Sequence, residues 1–247
     1  VSGGDDFLVR QWDASTGKMI SELSGHRGGV GDVNITADLQ HIISGSRDGS
    51  IRIWSLPENR ELVSIIFMNE NDWFIRNPQG YFDASEGAFS SISFVKGTEV
   101  YSVSQFFNEF YRPGLYSEAF GGNVAAYRQN VMQAIEKSPP PGIEILLPDD
   151  GSAIESPIVS LMVKVTNNGG GVKEFKVMHN GKRQEADASD LLRMTKPGQY
   201  TTKHLDINLI PGENIISVSA FSSEGIESEQ KDIRLLYKGL QKSSDCY

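Results

Sequence analysis

Short runs of alternating hydrophobic and polar residues fill most of this 247-residue chain, and turn-forming residues separate them. A period of two places every second side chain on one face of an extended strand, so that this face can enter a core. Leu161, Val163 and Val165 follow this pattern within one run. The alternation predicts a mainly β fold. The strands expected in the first third of the chain are 7–12, 18–23, 29–35, 41–45, 50–55 and 61–66.

A second β-rich segment covers residues 143–237. Six or seven short strands in about 95 residues are typical of an immunoglobulin-like (Ig-like) β-sandwich. Asn180-Gly181 separates two of the runs and is the strongest hairpin signal in the chain. We expect the tail, residues 238–247, to be flexible. The strands expected in this segment are 143–147, 158–166, 174–179, 200–209, 214–221 and 231–237.

Between these segments the spacing of hydrophobic residues becomes helical. Aromatic residues within 106–115 recur three and four positions apart, which places them on one side of a helix. We expect helices at about 103–111 and 123–137, so that residues 104–137 form a short helical connector. The following Ser-Pro-Pro-Pro-Gly run, residues 138–142, predicts a stiff linker.

The segment at residues 44–55 repeats an earlier one at residues 2–13. Trp12 and Trp54 lie 42 residues apart, and the same shift places Asp6 on Asp48. A period of about 40–45 residues with a turn aspartate and a strand tryptophan is typical of a propeller blade. With Gly25-His26 opening the second copy, these residues resemble a WD40 repeat.

This resemblance implies a buried network of hydrogen bonds within each blade. A buried histidine or aspartate is costly unless it finds a partner, which makes such a network physically necessary. The second copy has Ser55 where the Trp-Asp pair of the family has its aspartate. The resemblance leaves two serines open as the hydroxyl of the network. The residues that it assigns are His26, Ser44 or Ser46, Asp48 and Trp54, with Asp6 and Trp12 in the first copy.

His26, Asp48 and Ser44 also have the composition of a hydrolase triad. A catalytic serine needs an exposed, strained turn and an oxyanion hole, and the chain has no Gly-x-Ser-x-Gly. The blade pattern already explains the spacing of the three residues. We therefore expect a structural role for them, with no catalytic residue and no cofactor in the chain.

Residues 67–105 keep the rhythm of a blade, with a strong turn at Asn77-Pro78-Gln79-Gly80. We expect the last blade here, so that residues 1–103 are the final two to three blades of a WD40 propeller. A closed ring needs roughly four to eight blades. The chain therefore starts within a repeat, and further upstream blades or another chain would have to close the propeller.

A second resemblance rests on residues 72–115. Asp72-Trp73-Phe74, Pro78-x-Gly80-x-Phe82-Asp83 and a later Phe110-Tyr-Arg-Pro-Gly-Leu115 are similar to bacterial proteins that join a WD40 propeller to a caspase-like, C14-type peptidase domain. That family places a helical connector and an Ig-like domain between propeller and protease. The resemblance implies that a protease would begin near residue 238, and it favours the bacterial cytoplasm.

The composition limits the classes of partner that the chain is expected to bind. The net charge of −9 argues against nucleic acid or an anionic membrane as the main partner. No apolar run reaches the roughly 18 residues that a membrane span needs. Cys246 is the only cysteine, so no internal disulfide can form. These properties favour a protein or peptide partner in a reducing compartment.

Other candidate sites have weaker patterns. The glycine-rich run at 167–171 lacks the Lys-Ser/Thr of a phosphate loop and predicts a flexible turn. Asp149, Asp150 and Glu155 offer clustered oxygens of the kind that calcium prefers, although solvated loop charge is commoner. Cys246 has no histidine nearby in sequence. The remaining histidines occur singly and predict no metal site; they are His41, His179 and His204.

Together these patterns predict a non-catalytic scaffold that binds other proteins through WD40 blades and an Ig-like domain. One alternative is the regulatory portion of a caspase-like cysteine peptidase whose catalytic domain lies downstream. A second is a calcium-dependent adhesive module.

Overall fold

The structure is a computed structural model that describes residues 1–121, 127 and 129–239. The chain divides into two compact units. The first contains Val1–Val103 and Phe110–Met132, and the second contains Ser104–Glu109 and Gln133–Tyr247. Both units are built from antiparallel sheets, which confirms the mainly β prediction.

The described residues of the first unit form three sheets. Strands β1–β3 form one sheet, β4–β9 form a six-stranded sheet in sequential order, and β10 pairs with β11. Its strands are β1 (Ser2–Gly3), β2 (Val9–Trp12), β3 (Met19–Leu23), β4 (Val30–Ile35), β5 (His41–Ser46), β6 (Ser50–Ser55), β7 (Arg60–Phe67), β8 (Trp73–Arg76), β9 (Phe82–Ala84), β10 (Ser93–Lys96) and β11 (Glu99–Ser102).

The six-stranded sheet is apolar on both faces, because its strands carry hydrophobic residues at successive positions. On one face, Ile42 and Trp54 pack with Val9 and Leu23 of the first sheet. On the other face, which we call the outer face, the buried residues belong to a different cluster. Its members are Ile53, Leu62, Val63, Ile65, Ile75, Leu115 and Ala119. The sheet therefore separates two hydrophobic cores.

Residues 67–105 differ from the expected separate blade. Strand β8 pairs with β7, with Phe67 opposite Trp73, and β9 pairs with β8, so these strands extend the existing sheet. The reason is local: short connections return each strand beside the one before it. The β8–β9 turn closes with a hydrogen bond from Gly80 N to Asn77 O at 3.0 Å. Strands β10 and β11 form a separate hairpin.

The connector contains shorter helices than the pattern predicts. A 3₁₀ turn (Val103–Phe106) runs into α1 (Phe107–Phe110), and α2 (Leu115–Gly121) follows Pro113-Gly114. The final helix, α3, covers Val131–Lys137. The predicted helix at 123–137 lies partly outside the described residues. Two further 3₁₀ turns cover Glu86–Ser90 and Leu191–Arg193.

In the second unit, the part of the chain that the structure describes forms two sheets. One has the order β12-β14-β17 and the other the order β13-β19-β18-β15-β16, with only the β13–β19 pair parallel among the pairings of the described strands. The strands are β12 (Gly142–Leu147), β13 (Ala153–Ile154), β14 (Ile158–Thr166), β15 (Glu174–His179), β16 (Lys182–Gln184), β17 (Tyr200–Asn208), β18 (Gly212–Phe221) and β19 (Lys231–Tyr237).

One core joins the two sheets. The alternating residues of β14, Leu161, Val163 and Val165, are all fully buried, and Ile216 and Val218 of β18 belong to the same cluster. Each strand sends its other side chains away from this core, which is why the period of two located these strands well.

The glycine-rich loop at 167–171 is an ordered packing element. Asn167 is 1% exposed, and its Oδ1 accepts hydrogen bonds from Gly169 N and Gly171 N at 2.8 and 2.9 Å. Ser138 Oγ donates to Gly170 O at 3.1 Å. The loop therefore fixes the start of the proline-rich segment against the core, where the sequence had suggested a flexible turn.

Gly170 leaves no room for a side chain. A Cβ at this position would lie 2.2 Å from Pro139 O and 2.7 Å from Ser138 C, so Gly170→Ala forces backbone to move. We expect this change to lower the free energy of unfolding by about 2–3 kcal/mol, as overpacking does. Gly142→Ala is the control, since its Cβ would make an ordinary 3.4 Å contact with Thr166. Urea unfolding measures both, and equal losses would contradict the packing role.

Candidate functional site

The candidate residues of the second repeat meet in one hydrogen-bonded group. His26 Nε2 lies 2.8 Å from Ser44 Oγ, and Trp54 Nε1 donates to the same oxygen at 2.8 Å. His26 Nδ1 lies 3.1 Å from Asp48 Oδ2, and Ser50 Oγ donates to Asp48 Oδ1 at 2.6 Å. We call these five residues the His26 network.

The donors and acceptors of this network fix its protons. The ionised carboxylate of Asp48 can only accept, which assigns the proton of the neutral His26 ring to Nδ1 and leaves Nε2 as an acceptor. Ser44 therefore donates its O–H to His26 Nε2, and its oxygen accepts the N–H of the Trp54 indole. With a neutral imidazole, each group in the series Trp54, Ser44, His26 and Asp48 then has a hydrogen-bond partner.

Burial and hydrogen bonding shift both ionisable groups. Burial lowers the pKa of His26, and the opposing attraction of Asp48 is too weak to restore it. Burial acts to raise the pKa of Asp48, but hydrogen bonds from Ser50 and from Arg27 N outweigh it and hold that pKa well below its usual range. A neutral histidine beside an ionised aspartate is therefore the stable state.

Two glycines around His26 let the chain approach this network closely. A Cβ on Gly25 would lie 2.5 Å from Arg52 Nη1 and 3.2 Å from Trp54 Cη2. A Cβ on Gly28 would lie 2.7 Å from the backbone N of Asp48. A side chain before the histidine would therefore displace the Arg52 guanidinium and press on the Trp54 ring, which favours glycine in the Gly-His pair.

Ser46 has a different set of partners from Ser44. Its Oγ donates to Gly28 O at 2.9 Å and accepts from Asp48 N at 3.1 Å. Of the two serines that the sequence left open, the structure places Ser44 between His26 and Trp54 and gives Ser46 to the adjacent turn.

The first copy reproduces part of this arrangement. Trp12 Nε1 donates to Ser2 Oγ at 2.9 Å, and Ser2 occupies the position of Ser44 in the 42-residue period. Asp6 instead forms an ion pair with Arg10 at 2.6 Å. Trp12 is 41% exposed, whereas Trp54 is 1% exposed. The tryptophan–serine hydrogen bond recurs, while the aspartates have different partners.

The geometry does not suit His26, Asp48 and Ser44 for hydrolysis. Ser44 is fully buried, and its Oγ already accepts a hydrogen bond from the indole N–H of Trp54. A nucleophile must present that oxygen to a substrate beside an oxyanion hole. The arrangement instead supplies the buried partners that a folded blade needs.

A second polar contact brings together the residues that carry the peptidase-family resemblance. Asp83 Oδ2 accepts a hydrogen bond from Gly114 N at 2.7 Å, and Asp83 is 8% exposed. Arg112 N donates to Phe82 O at 2.7 Å, and its guanidinium lies 5.1 Å from the centre of the Tyr81 ring. Strand β9 and the Tyr111–Gly114 turn are thus held together by both backbone and side-chain contacts.

The remaining candidates do not assemble into a site. No group of three or more His, Cys, Asp or Glu side chains suited to a metal occurs among the residues that the structure describes. Asp150 Oδ1 accepts from Arg234 N at 2.7 Å, and His179 Nε2 lies 2.8 Å from Asn214 Oδ1. Cys246 lies outside the described residues. None of the described helices has the length and apolar character that a membrane span requires.

Comparison with known proteins identifies the repeat. Residues 17–55 match the family model described as "WD domain, G-beta repeat". The chain is 33% identical over 94 residues to "MST50-interacting protein 11" of Pyricularia oryzae and 32% identical over 94 residues to "Small ribosomal subunit protein RACK1" of Neurospora crassa. Each match covers 38% of this chain and 30% of the relative's own length. The chain therefore contains a WD40 repeat domain with WD-repeat homologues, mostly eukaryotic.

Solved structures give weaker similarities. Fibronectin(III)-like modules of Clostridium thermocellum CbhA match 39% of this chain and 97% of their own, with 12% identity and a TM-score of 0.29. The structure of U3-55K matches 33% of this chain and 32% of its own, with 16% identity and a TM-score of 0.24.

Removing the Ser44 hydroxyl should destabilise the first unit. Ser44→Ala leaves the Trp54 N–H and His26 Nε2 buried without partners, and each such group costs about 1–3 kcal/mol. We expect the free energy of unfolding, measured by tryptophan fluorescence in urea, to fall by about 2–4 kcal/mol. Ser46→Ala, which removes only turn contacts, should cost about 1 kcal/mol. Equal costs would contradict the assignment of Ser44.

Acid should weaken the first unit in two steps. The folded pKa of His26 lies below its unfolded value of 6.5, so its contribution is complete above about pH 6.5 and is lost as the pH falls towards the folded pKa. The lowered pKa of Asp48 adds a second loss below about pH 3.8. His26→Gln should flatten the first step in urea titrations across pH 4–7, whereas the exposed control His204→Gln should retain it. A wild-type slope unchanged by His26→Gln would refute this account.

Proposed function

We propose that this chain is a non-catalytic protein-interaction region whose six-stranded sheet receives another β blade on its outer face. The observation that carries the proposal is an open apolar groove of about 530 Å³ on that face. The groove is lined by Ile43, Ile51, Ile53, Ile65, Phe67, Trp73, Ile75, Asp83 and Tyr116.

Exposure supports a missing neighbour at this groove. Phe67 is 61% exposed and Ile51 is 37% exposed, although both belong to strands of a WD40 sheet. Contiguous apolar surface of this kind marks an interaction site more often than isolated exposed residues do. Helix α2 covers another part of the outer face through Leu115 and Ala119, which leaves the groove open beside Tyr116.

A propeller blade is the occupant that fits this surface best. Sheets of one propeller pack face to face through apolar side chains, as the opposite face of this sheet already packs on β1–β3. The blade would come from a longer protein that contains this chain or from another chain. The net charge of −9 supports a protein partner over nucleic acid.

Thiol labelling tests whether a blade covers the groove. Phe67→Cys is placed in a Cys246→Ser background, which otherwise has no cysteine. Maleimide should label this thiol rapidly in the chain alone. In the longer protein or the complex that carries the neighbouring blade, labelling should be at least about tenfold slower, because burial blocks access to the thiol. Tyr200→Cys, at a position 63% exposed in the second unit, is the control and should react equally in both forms. Equal labelling of Phe67→Cys in both forms would overturn the proposal.

We also propose, as an alternative, that the chain is the regulatory portion of a bacterial caspase-like peptidase. The support is the contact between Asp83 and Gly114, since both residues belong to the motif that carries the resemblance. The second unit would then be the Ig-like domain of that family, in the bacterial cytoplasm. Calcium-dependent adhesion has no comparable support, because Asp149, Asp150 and Glu155 form no metal group among the described residues.

The natural sequence after Tyr247 tests this alternative. A His-Gly pair and a later cysteine at a strand end should appear within about 250 residues, the upper size of a typical domain. Their absence from a complete natural sequence would rule the alternative out. The chain by itself should cleave no peptide substrate, and turnover that disappears in Cys246→Ala would contradict its non-catalytic role.

A further inference from the structure

A cavity of about 420 Å³ in the first unit lies on the opposite face of the six-stranded sheet from the outer groove. Two of its lining residues, Arg27 and Arg76, are cationic, and the rest are mostly apolar. Ile66 and Phe74 lie opposite each other in the β7–β8 register and form part of its floor. Further apolar lining comes from Phe94, Val131 and Met132.

The sheet register explains how Arg76 reaches this cavity. Ser64 is paired with Arg52 on one side and with Arg76 on the other, so these three side chains share one face. Two arginines in one row, joined by Arg27 from the loop after His26, concentrate positive charge there. Arg52 is ion-paired with Glu61, and both side chains are largely buried.

The other two arginines lack such a partner. Within the described residues, no carboxylate lies within ion-pair distance of Arg27 or Arg76. Arg76 is half-buried, and burial lowers the pKa of its guanidinium, as do the nearby charges of Arg52 and Arg27, against the attraction of Glu61. A half-buried guanidinium without a carboxylate is costly, and an anionic ligand would remove that cost.

We propose that this cavity binds an acidic peptide segment in which a carboxylate side chain lies beside a bulky apolar residue. The carboxylate would form paired hydrogen bonds with Arg76 and Arg27, whose planar guanidinium groups suit carboxylate oxygens. The apolar residue would cover Ile66 and Phe74. This proposal rests on the proposed interaction function but uses a different surface from the outer groove.

Peptide display tests the proposal directly. A library of random seven-residue peptides is selected on the whole chain, in the wild type and in the variant that combines Arg27→Gln and Arg76→Gln. Wild-type selection should enrich peptides with Asp or Glu next to an aromatic or aliphatic residue. The double variant should lose this enrichment. Arg47→Gln, whose side chain is 80% exposed and outside the cavity, should keep it.

Affinity measurements complete the test. Synthetic copies of the enriched peptides, fluorescein-labelled, should bind the double variant at least about tenfold more weakly than the wild type by fluorescence polarisation. Replacing the acid by its amide should cause a similar loss. Arg27→Gln alone should also bind these peptides more weakly than the wild type. Because Arg27 is exposed, this single change should leave the fold intact.

Several outcomes would overturn the proposal. No enrichment, enrichment without acidic residues, or enrichment that survives the double variant would each do so. A small carboxylate, 3-phenylpropionate, offers one more comparison, with its amide as the control. If the carboxylate alone shifts the Arg76 side-chain NMR signal and no peptide is selected, the cavity binds small anions and not peptides, and the proposal is wrong. Failure of the blade proposal is separable, because Phe67→Lys in the outer groove should leave peptide binding unchanged.

Discussion

The hydroxyl of Ser44 is the interaction on which the first unit depends. The Ser44 oxygen accepts a hydrogen bond from the indole N–H of Trp54, and the Ser44 O–H donates one to His26 Nε2. His26 Nδ1–H in turn donates to the carboxylate of Asp48. His26 lies in the loop before β4, whereas Ser44, Asp48 and Trp54 belong to the β5–β6 hairpin, so this buried oxygen ties that loop to the hairpin. Because each buried group must find a partner, the network tolerates little change at any member.

The side chains of this network line neither of the two surfaces proposed for binding. The inner contacts of the blade are satisfied by Ser44 and by the hydrophobic packing of Ile42 and Trp54 against the first sheet. The outer groove and the arginine-lined cavity are not needed to hold those contacts. Rigid surfaces of this kind serve protein recognition well, since a partner binds without first ordering the site.

Long alternating runs made much of the fold predictable from sequence. The bounds of β14, β15 and β19 agree with the predicted strands, because alternation over six or more residues leaves little choice of register. Strand β13 was missed since two residues carry no periodic signal, whereas the Asn180-Gly181 turn predicted the hairpin that pairs β15 with the short β16. The last blade was expected at 67–105, and β8 and β9 instead extend the six-stranded sheet, because strand pattern does not reveal which sheet a strand joins.

The site was predictable in composition but not in detail. Ser44 and Ser46 are two residues apart, so a strand places both on the same face and alternation cannot choose between them. Ser44 lies beside Trp54 and Ser46 lies beside Gly28, and these two contacts decide which serine joins the network. Both contacts are properties of the folded sheet. The cavity of Arg27 and Arg76 was missed altogether, because its lining comes from segments far apart in sequence.

The protonation of His26 gives the most direct test of the account. Nitrogen-15 NMR at pH 7 distinguishes the two neutral tautomers of the ring and reports its titration. The hydrogen bonds of the His26 network require a proton on Nδ1 and none on Nε2, and the lowered pKa of His26 keeps the ring neutral below pH 6.5. A ring protonated on Nε2, or one that titrates like a solvent-exposed histidine, would contradict the central role of Ser44.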